Sequence, residues 1–580
     1  MSETRGVGQD VAQPSFDPVS LEIMWSRLIG IADEMWVTIL RTAVSTIIGA
    51  AQDFGCEILD ADAGSVAHSN RSMPVFNLVM PTVTRGVIAR YPIEQMRPGD
   101  VYITNDPWLC AGHLDDIALI TPVFRDGRVV AFAVSVAHTT SIGGSLDRRT
   151  VRDIYEDGLR IPILKLYDAG RPNETAFAFI RENVRTPDLV LTDIEAQLTA
   201  NGLGAERVLA FLDEYGLPDL KAISRVIQAY SERAMREAIA AVPDGVYEHE
   251  VWADGLDEPV YLRCRILVRG DEILVDYTGS DRQRPRGGIN CTLTYTRAHT
   301  AYPLKCLLSP TVPANEGTFR PIQVIAPEGS ILNCTVPASV GSRTRTGWHL
   351  HALIFGALAT ALPDRVQAGN GLMHSIHVYG QEPDGRFYNA HFFTAGGRGA
   401  SLGRDGIGRN CFPSSARNVP VEIFESRTPV LVRTRSLRPD SAGLGQWRGA
   451  FGHQLEFSPL PGYPLPVNVF IDPDRLRFPP KGLAGGQDGP CTEVIVNGRR
   501  LGPEELRSGQ ITLETPDDRL ELHLPGGAGY GPLEQRDPEL AAADLRAGLV
   551  DPQCLPESLR QAAERLLAGQ AGARAPSATG

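Results

Sequence analysis

The chain has 580 residues, too many for one ordinary hydrophobic core, so two or three domains or one large interlocked body are expected. It is 43% hydrophobic and 22% charged, as globular proteins are, and its net charge of −13 argues against nucleic acid as the main partner, because phosphate binding needs clustered Lys and Arg. It has no run of 18 apolar residues and no apolar leader after Met1, so neither membrane insertion nor secretion is expected and the protein is placed in the cytoplasm.

Residues 1–16 read as a disordered start. Asp17-Pro18 then opens a helix, with Asp as cap and Pro at the first helical position. Leu21, Met24, Leu28, Ile31, Met35 and Ile39 recur at helical spacing and predict one buried face running into the 40s. Residues 53–140 read as mixed sheet. Within them, Ile117–Phe124 and Val129–Ala137 flank Asp126-Gly127, a hairpin signal. Helices are expected over 176–182, 188–212 and 220–242, and strands over 247–252, 260–268 and 272–277. Further helices are expected over 295–308 and 349–362. Short strands and turns fill 430–525, and 538–567 is helical by composition before an Ala/Gly tail. Gly396–Gly403 and Gly526–Gly531 are glycine-rich loops. The nine cysteines form no CxxC pair, so most read as small buried hydrophobes.

The chemistry concentrates in Asn105–Asp116, which ends Gly112-His113-Leu114-Asp115-Asp116, and in Ala137–Gly144, which begins Ala137-His138-Thr139-Thr140. Imidazole and carboxylate ligands suit zinc, manganese or iron. If Asp126-Gly127 is a two-residue turn, opposite residues sum to 253 and His138 faces Asp115, with opposed β-carbons roughly 5 Å apart. A one-residue bulge would bring Asp116 opposite instead. Either way His113, one of the two aspartates and His138 meet at the open end of the hairpin. The spacing of the residues leaves the choice between Asp115 and Asp116 open. The competing reading is that these are hydrogen-bonded structural histidines and turn-capping carboxylates.

Several ordered segments point further: DPVSLEIMWSRL (17–28), QDFGCEILDADAG (52–64), RPGDVYITNDPW (97–108), GHLDDIALITPVF (112–124), EDGLRIPILKL (156–166), DYTGSDRQ (276–283), PANEGTFRPIQVIAPEGSILN (313–333), GGRGA (396–400) and DSAGLGQWRGAFG (440–452). Over roughly 17–550 the chain resembles the hydantoinase B/oxoprolinase family, which includes subunits of N-methylhydantoinase, 5-oxoprolinase and the acetone and acetophenone carboxylases. The resemblance implies metal ligands at Asp53, His113, Asp116 and His138, and so prefers Asp116 to Asp115. It implies one divalent transition metal, zinc or manganese before iron. It also implies a hydantoinase A type partner that binds ATP and magnesium, in a hetero-tetramer or larger assembly. Departures are Thr139 where many relatives have a second His, Asp115 where many have Pro, and Cys110 where many have Gly. Such a metal would polarise a carbonyl and activate water, and Asp115 is then a candidate catalytic residue that orients or deprotonates that water.

The fold class that follows is mixed α/β: a large multi-layer body with mixed and antiparallel sheets, helical insertions and a β-rich C-terminal part. The expected divisions are a disordered 1–16, a metal-binding α/β domain at 17–242, a central α/β domain at 243–430, a β-rich region at 431–535 and a helical tail at 536–580 with a disordered end. The function expected is the catalytic subunit of an ATP-dependent cyclic amidohydrolase. The rivals are a ketone carboxylase subunit and a non-catalytic scaffold. GGRGA lacks the Walker Lys-Ser/Thr signature and reads as a structural turn. His349 and His351, near Arg343 and Arg345, read as pocket or subunit-contact residues or as a plain helix start. His374 and His377 sit in a strand-like run, which argues against a metal pair there. No GxSxG elbow occurs.

Overall fold

The computed structural model of the protein describes residues 16–408, 411–506 and 509–573. The expected disorder of the N-terminus and of the Ala/Gly end falls outside these residues, apart from Phe16 and the start of the tail.

Helix Pro18–Thr42 forms as its sequence predicts. The Asp17 carboxylate accepts from the Val19 and Ser20 N–H groups, both at 3.1 Å, and Met24, Leu28, Met35 and Ile39 are buried. This helix packs on the long helix Pro187–Glu214, where a β-carbon on Gly204 would lie 2.4 Å from Met35 Sδ. That contact requires glycine.

The first sheet has seven strands: β1 (Phe54–Asp60), β2 (Ser65–His68), β3 (Val101–Thr104), β4 (Asp116–Arg125), β5 (Arg128–His138), β6 (Leu164–Asp168) and β7 (Arg171–Pro172). Their order is β2-β1-β5-β4-β3-β6-β7, antiparallel throughout. Both faces of β1 are buried, Glu57 included, so exposed polar residues do not alternate along it. Helix Pro187–Glu214 lies over β4 and β5, and its Gln197 and Asn201 amides donate to the Ile117 and Leu119 carbonyls.

The β4–β5 turn has Asp126 at φ +49° and Gly127 at φ +75°, the type I′ combination that matches strand twist. Arg125 faces Arg128 and Phe124 faces Val129, but Val123 faces Ala131. Val130 is therefore an extra residue, a β-bulge. From there to the open end every pair sums to 254, and His138 faces Asp116.

The second sheet, ordered β11-β10-β9-β8, comprises β8 (Gly245–Ala253), β9 (Val260–Arg269), β10 (Glu272–Asp276) and β11 (Ile322–Ile325). Helix Leu350–Leu358 covers β8 and β9. The remaining strands are β12 (Met373–Gln381), β13 (Phe387–Ala395), β14 (Val430–Leu437), β15 (His453–Pro459), β16 (Val467–Ile471), β17 (Glu493–Val496), β18 (Arg499–Arg500), β19 (Gln510–Leu513) and β20 (Leu520–His523). They form two sheets, β13-β12-β16-β19 and β14-β15-β20-β17-β18. The first of these draws strands from both sides of residue 430. The architecture is the mixed α/β, multi-sheet body expected.

The two glycine-rich segments pack against each other and their neighbours through backbone. Gly397 N–H donates to the Pro525 carbonyl and Ala400 N–H to the Ala528 carbonyl, both at 2.9 Å, and Gly527 N–H donates to the Ala450 carbonyl at 2.8 Å. A β-carbon on Gly397 would lie 2.1 Å from the Ala450 oxygen. These glycines serve close chain approach. Among the described residues no helix is long and apolar enough to cross a membrane.

Candidate metal centre

Three strand ends converge at one end of the adjacent inner strands β1, β5 and β4 of the seven-stranded sheet. Asp53 precedes β1, Asp116 opens β4 and His138 closes β5. The His138 N–H donates to the Asp53 carbonyl at 3.0 Å, which ties the first to the third. The loop between β3 and β4 brings His113 to the same place. Buried Asn105 pins that loop, donating to the Leu114 and Leu159 carbonyls at 2.7 and 3.0 Å and accepting from the Ile161 N–H at 2.6 Å. Gly112, at φ +88°, lets the loop turn tightly: a β-carbon there would lie 2.8 Å from Tyr295 Cβ and 2.9 Å from Arg343 Cδ.

Ligand-type atoms of His113, Asp116 and His138 all lie within 4.8 Å of one another. The centroids of the two imidazole rings are 5.0 Å apart. Asp53 lies outside that set of mutual distances but lines the same cavity. The donor set passes a direct test of fit. His113 Nδ1 and Nε2 and Asp116 Oδ1 are buried without hydrogen-bond partners, a costly arrangement unless something else satisfies them. His113 Nε2 is 3.0 Å from Asp116 Oδ2 and Nδ1 is 3.2 Å from Asp115 Oδ2, yet neither contact is aligned as a hydrogen bond. His138 Nδ1 donates to the Thr139 carbonyl at 2.9 Å, which fixes the tautomer and leaves Nε2 with a free lone pair. Two imidazoles and a carboxylate so arranged suit zinc, manganese or iron.

The electrostatics of the site depend on burial. Burial, helped by nearby Asp116, pushes the Asp53 carboxyl up to about 8. Burial, reinforced by His113, holds the His138 imidazole down at about 4, neutral and able to act as a ligand. Burial alone would raise Asp115, but Arg148 and His113 outweigh it and hold the carboxyl well below the usual range. Arg148 Nη2 donates to both Asp115 oxygens, at 2.9 and 3.3 Å. Asp116 is likewise lowered against its burial, chiefly by His113 and then Arg343.

Arg343 is the principal residue that sequence reasoning did not place in the site. Its Nε donates to the Ala111 carbonyl at 2.6 Å and its Nη2 to Asp116 Oδ2 at 2.9 Å, and its guanidinium lies 4.4 Å from the Tyr295 ring centroid. Arg148, His377, Asn389 and His391 were also missed as site residues; all line the cavity. His349 and His351 are buried and bonded inward, His349 near Asp474 at 3.3 Å and His351 to Asn370 at 3.1 Å, so neither is a surface contact. His374 and His377 lie on β12, where a spacing of three puts them on opposite faces. The cavity has a volume of about 210 Å³, with an apolar wall that includes Met73, Phe76, Met373, Phe393 and Phe470. It is smaller than the roughly 300 Å³ and upward typical of drug-sized pockets, and so suits a molecule of few heavy atoms.

Comparison with known proteins gives a consistent picture. A family profile described as Hydantoinase B/oxoprolinase matches residues 17–533. A Pseudomonas sp. (strain NS671) protein, provisionally named as the B component of a D-/L-hydantoinase, is 30% identical over 92% of this chain and 93% of its own length. The crystal structure of an ATP-dependent caprolactamase from Pseudomonas jessenii superposes with a TM-score of 0.84 at 25% identity, covering 93% of this chain and 95% of that one. A nucleotide-free acetone carboxylase structure shares the fold, with a TM-score of 0.81 at 16% identity over 96% of this chain and 84% of that one.

Proposed function

The chain belongs to the hydantoinase B/oxoprolinase family, and from that premise we propose that it is the metal-binding catalytic subunit of an ATP-dependent enzyme that opens small cyclic amides. The observation that carries this reading is the cluster of His113, Asp116 and His138, with Asp53 beside them, at the wall of a small cavity where buried His113 Nε2 and Asp116 Oδ1 make no hydrogen bond to the protein. Bound there, a divalent ion supplies Lewis-acid polarisation of an amide carbonyl and a means of activating water. Asp53 is the fourth ligand in this proposal.

The protein's own groups prepare the site. His138 presents Nε2 because Thr139 holds Nδ1. Asp115 Oδ2 lies 3.2 Å from His113 Nδ1 and holds its charge against that ring, in the place carboxylates take behind metal-binding histidines. Arg148 keeps Asp115 ionised, which favours this supporting role over proton abstraction. Arg343 offsets the charge of Asp116 and pins the loop at Ala111. The apolar wall keeps bulk water away from the reacting carbonyl.

Opening a resonance-stabilised amide needs activation. The sequence has no Walker A motif, and the two cyclic-amide relatives support a division of labour: one is named as part of a multi-component enzyme, the other as ATP-dependent. We therefore assign ATP and magnesium to a hydantoinase A type partner, in a hetero-tetramer or larger assembly in the cytoplasm. The test is substrate-stimulated ATP cleavage by this chain together with a hydantoinase A type partner. Ring opening of a lactam or hydantoin without bicarbonate is the expected result. Strict bicarbonate dependence with ketones would replace this reading with a carboxylase, and a purified chain devoid of transition metal would reduce it to a scaffold.

A further inference from the structure

The face of β12 and β13 that closes the cavity carries polar groups the metal centre does not use. Cross-strand pairing puts His377 opposite His391, Ser375 opposite Phe393 and Tyr379 opposite Asn389. The His377 and His391 rings stack with centroids 4.1 Å apart and planes 4° from parallel, and the His391 centroid is 6.4 Å from that of His138. His377 is thus one ring removed from the metal centre.

Its tautomer follows from its neighbours. Asn389 Nδ2 donates to the Thr140 carbonyl at 2.9 Å, which turns the amide oxygen Oδ1 towards His377 Nε2. An amide oxygen only accepts, so Nε2 carries the hydrogen and Nδ1 is the ring's acceptor. His377 keeps accessible surface although protein surrounds it, because it faces the cavity. By contrast, His391 Nδ1 is sealed from solvent and has no partner. Burial holds the His377 ring down at about 4, so it is uncharged at neutral pH. The wall therefore presents a fixed, neutral acceptor one ring away from the metal-binding groups.

We propose that His377 is a specificity-determining residue whose Nδ1 accepts the N–H of a cyclic amide bound with its carbonyl towards Asp116 and His138. This rests on the cyclic-amide reading above. It also sharpens that reading, because a ketone offers no such donor and an N-alkylated lactam has lost it. Asn389 is the positioning residue that locks the tautomer.

The test measures binding of 2-pyrrolidinone and N-methyl-2-pyrrolidinone to the full, metal-containing chain by saturation-transfer NMR. The wild type should favour the N–H lactam by about tenfold, the cost of leaving a desolvated acceptor unpaired. His377→Leu should abolish that preference. His377→Asn, which can place an oxygen near the Nδ1 position, should restore part of it. Asn389→Leu, which frees the ring to change tautomer, should weaken the preference with His377 still present, and it serves as the second probe should His377→Leu fail to fold. A preference that survives both leucine variants, or a wild type that binds both lactams equally, overturns the role of His377 alone. A wild type that binds neither lactam overturns the cyclic-amide reading and this proposal with it.

Discussion

His138 shows how much one side chain decides here. Its Nδ1 is committed to Thr139, its Nε2 is free, and its neutral state is secured by burial. His138→Ala should therefore lose bound transition metal by more than the roughly 10- to 100-fold that deleting a supporting partner costs, with an unchanged far-UV CD spectrum. Metal analysis of the purified variant checks this, and retention of stoichiometric metal would remove His138 from the ligand set. Asp115→Asn tests the supporting role itself. It leaves the ligands in place but neutralises the group at His113 Nδ1, so metal affinity should fall by roughly 10- to 100-fold, as measured by competition with a chelator. At this scale the clustering was readable where the residues lie close along the chain: His113, Asp115, Asp116 and His138 all belong to one hairpin and the loop leading into it. Arg343 was not, because its partner Asp116 is 227 positions away and nothing local marks an arginine at a helix start as a site residue. His377 was weighed only as a metal pair with His374 and His391 was not singled out, since only the packing of a second sheet over the cavity brings them near.

At the level of elements, the decisive feature is the bulge at Val130. The type I′ turn was legible from Asp126-Gly127, and with it the pairing of the two strands. The extra residue was not, because Val129-Val130-Ala131 is an unbroken apolar run in a strand buried on both faces, and such runs carry no phase. Deleting Val130 should remove the bulge yet leave Asp116 opposite the same histidine, because the strand loses only the one unpaired residue. Bound metal in the deletion variant is then expected to match the wild type, while a cooperative thermal transition shows that the hairpin still forms. Loss of metal from a variant that still folds would mean that the site needs the bend and twist of the bulge and not the pairing alone. Helix Pro18–Thr42 was predicted almost to its ends, because its cap, N1 proline and apolar spacing agree. The β13-β12-β16-β19 sheet was not foreseen as a unit, since its strands come from segments more than 70 residues apart and strand runs alone do not specify partners.

For the whole molecule, the proposed metal centre and folding stability are linked through protons. In the metal-free chain Asp53 is raised to about 8, above its unfolded value of 3.8. A group raised on folding contributes stability that is complete below the unfolded value and is lost as pH rises through the folded value. Asp53 therefore weakens the metal-free fold progressively between pH 4 and 8. The buried imidazoles act in the opposite sense: His138 and His377 are held at about 4 and His299 at about 3, all below 6.5, chiefly by burial. Their contribution is complete above pH 6.5 and is lost as pH falls towards 4. In the proposed ligation a divalent ion takes Asp53 as carboxylate, and binding would cancel the alkaline penalty. The gain in melting temperature on adding metal should thus grow as pH rises from about 4 to 8. At pH 7 metal uptake should release close to one proton, because Asp53 enters as the acid while His138 is already neutral. Calorimetric titrations in buffers of different ionisation enthalpy count that proton directly. A binding heat independent of the buffer would show that Asp53 is either already ionised or not a ligand. Asp53→Asn separates these two cases: it should abolish the pH dependence of the metal-induced gain and weaken metal binding only if Asp53 is a ligand.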